Sequence, residues 1–148
     1  MTEIKNFMTA SAHAIGHDQP LKLAHERMQQ FGIRYLPVLD GGVLVGVVSE
    51  RDIALIGAIS PTHAADAPVE EAMSAEPYAV PPDADVVEVT AQMAEHQYGF
   101  AVVMDRNKVV GVFSSSDALQ LLSGLLRQSD GAGKQALAGL RKDKARKK

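Results

Sequence analysis

Gly46-Val47-Val48-Ser49-Glu50-Arg51-Asp52 decides how this chain is read, because Gly111-Val112-Phe113-Ser114-Ser115-Ser116-Asp117 follows 65 positions later with Gly, Val, Ser and Asp in the same places. Each copy reads as a strand running into a helix. Val43 to Val48 and Val109 to Phe113 are apolar runs rich in β-branched residues, and the Ser-x-x-Asp after them opens an amphipathic helix. In a capping box the serine hydroxyl accepts from the N3 backbone N–H while the N3 carboxylate accepts from the serine N–H and lies at the positive end of the helix dipole. A second reading is compatible with that one. A strand end, free helix N–H groups and a carboxylate suit a nucleotide, since helix N-termini attract phosphate and a carboxylate can accept both vicinal hydroxyls of a ribose.

The offset of 65 extends well beyond the motif. Met8 matches Met73, Ala14 matches Ala79, Asp18 matches Asp83, Met28 matches Met93, Val38 matches Val103 and Asp40 matches Asp105, with no net insertion. The chain is a tandem duplication. In each unit a short extended approach (Met8 to Ala14, Met73 to Val80) precedes a helix whose apolar stripe is Leu21, Ala24, Met28 and Phe31, or Val86, Val89, Met93 and His96. Asp18 and Asp83 stand where a helix start favours a carboxylate or a cap, and Pro20 suits a first turn. An apolar strand follows, Tyr35 to Leu39 or Phe100 to Met104, then a hairpin turn, Asp40-Gly41-Gly42 or Asp105-Arg106-Asn107. The second hairpin strand delivers the Ser-x-x-Asp helix.

The expected fold class is therefore α+β, with two β-α-β-β-α repeats packed as a pseudo-twofold pair. A single three-stranded unit has too little core to fold well alone. The division expected is residues 1–62 for the first repeat, 63–127 for the second and 128–148 for a basic C-terminal tail. Gly57 to Pro68 reads as the connector, and residues 134–141 as a short helix.

Composition narrows the function. The 148 residues contain no Cys and no Trp, which excludes disulfides, thiolate chemistry and an indole platform. No apolar run reaches the ~18 residues of a membrane span, and the polar start MTEIKNFMTA is unlike a secretory leader, so a cytoplasmic protein without membrane contact is expected. From Arg127 onward eight Lys/Arg face two Asp, whereas the rest holds seven basic and 16 acidic residues. That acidic body speaks against nucleic acid as a partner. The five histidines show no metal-ligand spacing, and the chain carries no nucleophile elbow, Walker loop or dinucleotide fingerprint, so catalysis is not expected.

With its apolar Tyr35-Leu36-Pro37-Val38 strand, Asp-Gly hairpin and twice-occurring Gly-h-x-Ser-x-x-Asp turn, the chain from about Ile4 to Leu126 closely resembles a tandem pair of CBS domains, or Bateman module. The resemblance implies a regulatory sensor that binds AMP, ADP, ATP, NAD or S-adenosylmethionine in clefts between the repeats. It implies that Asp52 and Asp117 hold ribose, that Ser49, Ser114 and Ser116 lie near phosphate, and that His13 to Ile15 and Tyr78 to Val80 line the adenine pockets through backbone groups. Arg34, three residues before the strand proline, stands where the family often places a basic residue, and Arg51 beside a helix start suits an anionic ligand. The second repeat has Gly99 and Val102 where the first has Arg34 and Pro37, which makes the clefts chemically unequal. The alternative is a scaffold that dimerises and binds protein but no nucleotide. Either reading expects a homodimer formed by helical faces bearing Ile53, Ile56, Leu121 and Leu122, and a regulated protein partner.

Overall fold

The computed structural model describes residues 2–11 and 13–128. The expected basic tail and its short helix lie outside the described residues, apart from Gln128. Among the described residues four α-helices cover two four-stranded sheets. The order is β1 (Thr9–Ala10), β2 (Ile15–Gly16), α1 (Leu21–Phe31), β3 (Tyr35–Asp40), β4 (Val43–Ser49) and α2 (Glu50–Ile59). After the connector come β5 (Ser74–Ala75), β6 (Ala79–Val80), α3 (Val86–His96), β7 (Phe100–Asp105), β8 (Lys108–Ser114) and α4 (Ser115–Gln128).

The duplication is visible in detail. β2 pairs in parallel with β3, Ile15 opposite Val38, as β6 pairs with β7, Val80 opposite Val103. Both hairpins turn on two residues with positive φ, Gly41 (57°) and Gly42 (84°), or Arg106 (52°) and Asn107 (65°), the left-handed pair that matches strand twist. Both carry a register shift at the same place, between Val38 and Leu39 and between Val103 and Met104.

One feature differs from a pair of separate three-stranded sheets. The approach strands change places: β1 adds antiparallel to β8 and β5 adds antiparallel to β4, so the orders are β1-β8-β7-β6 and β2-β3-β4-β5. Ile4 lies fully buried in the second repeat's core with Val86, Val89, Met93 and Phe113, and Val69 in the first repeat's core with Leu21, Met28 and Val48. Each such side chain contributes roughly 1.5–3 kcal/mol on burial, so each repeat helps to stabilise the other. The close crossing explains the motif glycines. A Cβ on Gly46 would stand 2.7 Å from the Ser74 carbonyl oxygen, and one on Gly111 2.8 Å from that of Thr9.

Between the sheets, Val47, Val102 and Val109 form a third cluster with Tyr35 and Phe100 packed against it. Tyr35 and Phe100 are equivalent positions, and their ring centroids are 4.5 Å apart, which places them beside the pseudo-twofold axis. β3 is buried at Leu36, Pro37 and Val38 in succession, and its unbroken apolar run follows from burial on both faces.

Several local expectations shift. α3 is capped by Asp85, whose side chain accepts from Val87 N–H, rather than by Asp83, and α1 starts after Pro20 with no side-chain cap. α2 continues through Gly57 to Ile59, so the connector is Ser60 to Pro68, and the expected division after residue 62 falls within it. The helical stripes end early, because Phe31 and His96 are exposed.

Candidate ligand-binding cleft

The two Ser-x-x-Asp turns form capping boxes, and their details differ. At α2, Asp52 N–H donates to Ser49 Oγ (3.0 Å) and Ser49 N–H to Asp52 Oδ2 (2.9 Å). At α4, Asp117 N–H donates to Ser114 Oγ (3.2 Å), while Asp117 Oδ2 accepts both Ser114 N–H (2.8 Å) and Ser114 Oγ–H (3.1 Å). Asp117 Oδ1 also accepts a hydrogen bond from Thr9 Oγ1 at 3.1 Å, delivered by β1 from the other repeat. Among the described residues Asp52 Oδ1 has no such partner.

Asp117 opens into a cleft of about 290 Å³ that both repeats build. The first repeat contributes Thr9, Ser11 and His13 from its approach, and Gly32 to Tyr35 with Pro37 from the end of α1 and β3. The second contributes Val112, Ser114, Ser116 and Asp117. Five sequence-predicted residues, His13, Arg34, Ser114, Ser116 and Asp117, thus meet around one space. Two cationic or ionisable nitrogen groups stand opposite one carboxylate and two hydroxyls. The helix start is partly used: Ser115 N–H donates to the Gly99 carbonyl (2.9 Å) and Asp117 N–H to Ser114, leaving the amide of Ser116 as the one available to an anion. The His13 ring stacks on Phe31 with centroids 3.8 Å apart.

The other predicted residues lie elsewhere. Ser49 and Asp52 form the box at α2, and Arg51, exposed in its first turn, is the counterpart of Ser116. Ile15 and Val80 are 2% and 8% exposed, with their side chains in the repeat cores, so only their backbone groups are left for a ligand. Tyr78 stacks on Tyr98, which stacks in turn on His96. Burial, with Glu88 and Tyr98 adding, pushes the Tyr78 phenol above its usual 10.0, so it remains a donor at neutral pH. Among the described residues no group of three or more His, Asp or Glu is placed to hold a metal.

Thr9, Ser11 and Pro37 were not singled out as cleft residues by sequence reasoning. The signal for Thr9 was present: it and Ser74, 65 positions apart, are hydroxyl residues following the repeated methionines.

The family model described as CBS domain matches residues 4–58 and again 69–124. The chain belongs to the CBS-domain family. It is 30% identical over 117 residues to the CBS domain-containing protein YhcV of Bacillus subtilis, covering 79% of this chain and 83% of that protein. The crystal structure of hypoxic response protein I, with two coordinated zinc ions, superposes with a TM-score of 0.68 at 26% identity, over 80% of this chain and 98% of that chain. The CBS pair of protein MJ0100, in complex with 5-methylthioadenosine and S-adenosyl-L-methionine, shares the fold with a TM-score of 0.71 at 24% identity, over 81% of this chain and 98% of that one. No described helix of this CBS pair is long and apolar enough to cross a membrane.

Proposed function

We propose that this CBS pair is a regulatory module, without catalysis of its own, that binds an adenosine-containing ligand of the AMP, ATP, NAD or S-adenosylmethionine class in the cleft of Asp117 and Arg34. The observation that carries the reading is the joint ownership of that cleft. The first repeat supplies His13 and Arg34 and the second Ser114, Ser116 and Asp117, so a ligand that touches both biases how the repeats sit. Asp117 takes a ribose hydroxyl on Oδ1. A phosphate lies between the Arg34 guanidinium and the Ser116 amide and hydroxyl, where charge-assisted bonds are the strong ones. The fold is one in which protein MJ0100 holds adenosyl ligands. Asp52, Ser49, Arg51 and Tyr78 are the counterparts, at the offset of 65, of Asp117, Ser114, Ser116 and His13.

Ligand binding acts outward through differential affinity for two arrangements that a protein partner distinguishes. Calorimetry on nucleotide-free protein with AMP, ATP, NAD and S-adenosylmethionine tests the proposal. Binding lost in Asp117→Ala and retained in Asp52→Ala supports it. Absence of binding by all four at millimolar concentration leaves the dimerising scaffold, which the open leucines of α4 favour, as the function.

A further inference from the structure

The chain crosses from one repeat's core to the other's at two places, and the two crossings are built alike. The short 3-10 turn Ile4–Asn6 carries Ile4 into the second repeat's core before β1, and the turn Val69–Glu71 carries Val69 into the first repeat's core before β5. The same backbone bonds fasten both. Ile4 N–H donates to the Ala84 carbonyl at 2.7 Å and Lys5 N–H to that of Pro82 at 3.0 Å, as Val69 N–H donates to that of Gln19 at 2.8 Å and Glu70 N–H to that of His17 at 3.0 Å. The side chains at these places differ. At the Ile4 crossing Pro82 has nothing to titrate, and Lys5 turns to Glu3 at 3.2 Å. At the Val69 crossing the His17 ring lies between two elements, with Nδ1 2.8 Å from Glu70 Oε2 and Nε2 3.3 Å from Asp40 Oδ1 at the end of β3. Asp18, in the turn after β2, adds a third negative charge near the ring. An ionised carboxylate only accepts and a neutral imidazole has one N–H, so both contacts are hydrogen bonds only when the ring carries two protons. With one proton, a ring lone pair faces a carboxylate.

We infer that His17 is a proton-operated clasp on the Val69 crossing: its imidazolium fastens Glu70 of the second repeat to Asp40 of the first, and loss of the proton loosens that crossing while the Ile4 crossing does not respond. A proton is thereby a second input to how the repeats sit. None of His17, Asp40 and Glu70 lines the cleft of Asp117, and the inference stands whether or not that cleft takes a nucleotide. The His17 side chain is 30% exposed, so solvent screens the pairs and keeps the effect modest.

The test is hydrogen exchange followed by NMR on the full chain, with rates corrected for the intrinsic pH dependence of amide exchange. Between about pH 6 and about pH 8, the span in which a perturbed histidine titrates, protection of the Val69 and Glu70 amides is expected to fall about two- to fivefold relative to that of Ile4 and Lys5, the size of one partly exposed charged pair. Nitrogen-15 shifts of the His17 ring should report two N–H groups at the acid end and one at the other. His17→Gln, whose side chain does not titrate, should hold the ratio of protection constant. A wild-type ratio that does not change with pH overturns the inference, and so does a ratio that changes as much in His17→Gln. Should that variant not fold, the wild-type ratio and ring shifts decide alone, a ring with a single N–H at about pH 6 being the overturning result.

Discussion

Thr9 Oγ1 donates to Asp117 Oδ1 at 3.1 Å, a bond between side chains 108 residues apart in the chain. The other carboxylate oxygen already accepts twice from Ser114, so a ribose finds one open place on Oδ1 and must compete with Thr9 for more. Thr9→Val keeps the shape and removes the competitor. AMP binding should tighten by roughly two- to tenfold, the worth of one net hydrogen bond. Calorimetry reads this directly, and weaker binding would make Thr9 an aid to the carboxylate instead of a rival.

Arg34 should separate phosphate recognition from nucleoside recognition. Arg34→Ala removes a charge-assisted partner and is expected to weaken AMP about ten- to a hundredfold while leaving adenosine nearly unchanged. Parallel titrations with AMP and adenosine check it, and equal losses for both would place the arginine at the nucleoside.

The crossing strands predict opposite outcomes for two glycine-to-alanine changes. At Gly111 a Cβ would meet Met8 Sδ at 2.5 Å and the Thr9 carbonyl oxygen at 2.8 Å, so Gly111→Ala should cost about 1–3 kcal/mol through forced displacement of β1. Gly57 lies inside α2 with nothing within 4 Å, so Gly57→Ala should stabilise by about 0.5–1 kcal/mol. Thermal or urea unfolding of the two variants against wild type gives both signs in one experiment.

His17 ties the first repeat to the connector end. Its Nδ1 lies 2.8 Å from Glu70 Oε2 and its Nε2 3.3 Å from Asp40 Oδ1. The hydrogen bond to Glu70 is the largest cause that raises its pKa above 6.5; desolvation opposes it and the Asp40 charge adds to it. A raised folded-state pKa gives stability that is fully present below 6.5 and is lost as pH rises through the folded value. The melting temperature of wild type should therefore fall relative to His17→Gln between about pH 6 and about pH 8, the range of a perturbed histidine. Parallel pH profiles of the two proteins would refute this contribution.

Part of the apolar surface left open lies on α2 and α4. Ile53, Ile56 and Leu121 pack half-buried on their own cores, so of the residues expected to dimerise only Leu122 is open, at 50% exposure. Leu119 and Leu125 of α4 and Leu55 and Ile59 of α2 join it. These helical faces should meet a second copy, and Leu122→Glu with Leu125→Glu should convert a sedimenting dimer to monomer at tens of micromolar, roughly the range expected for an interface of ordinary size. A wild-type monomer at that concentration would remove the homodimer.

Much of this architecture was written in the residues. Periodicity and local hydrogen bonding decide the helices, hairpins and both Ser-x-x-Asp caps within a few residues of chain, and the offset of 65 carries each from one repeat to the next. The unlike positions, Arg34 against Gly99 and Pro37 against Val102, were legible in the same way. Tertiary structure alone decided the exchange of β1 and β5, because strands of two residues carry no periodicity and find their sheet only by burying Ile4 and Val69 in the opposite core. It also decided that Thr9 reaches Asp117. Those facts depend on which backbone passes over which, a relation between residues far apart in the chain that no local pattern encodes.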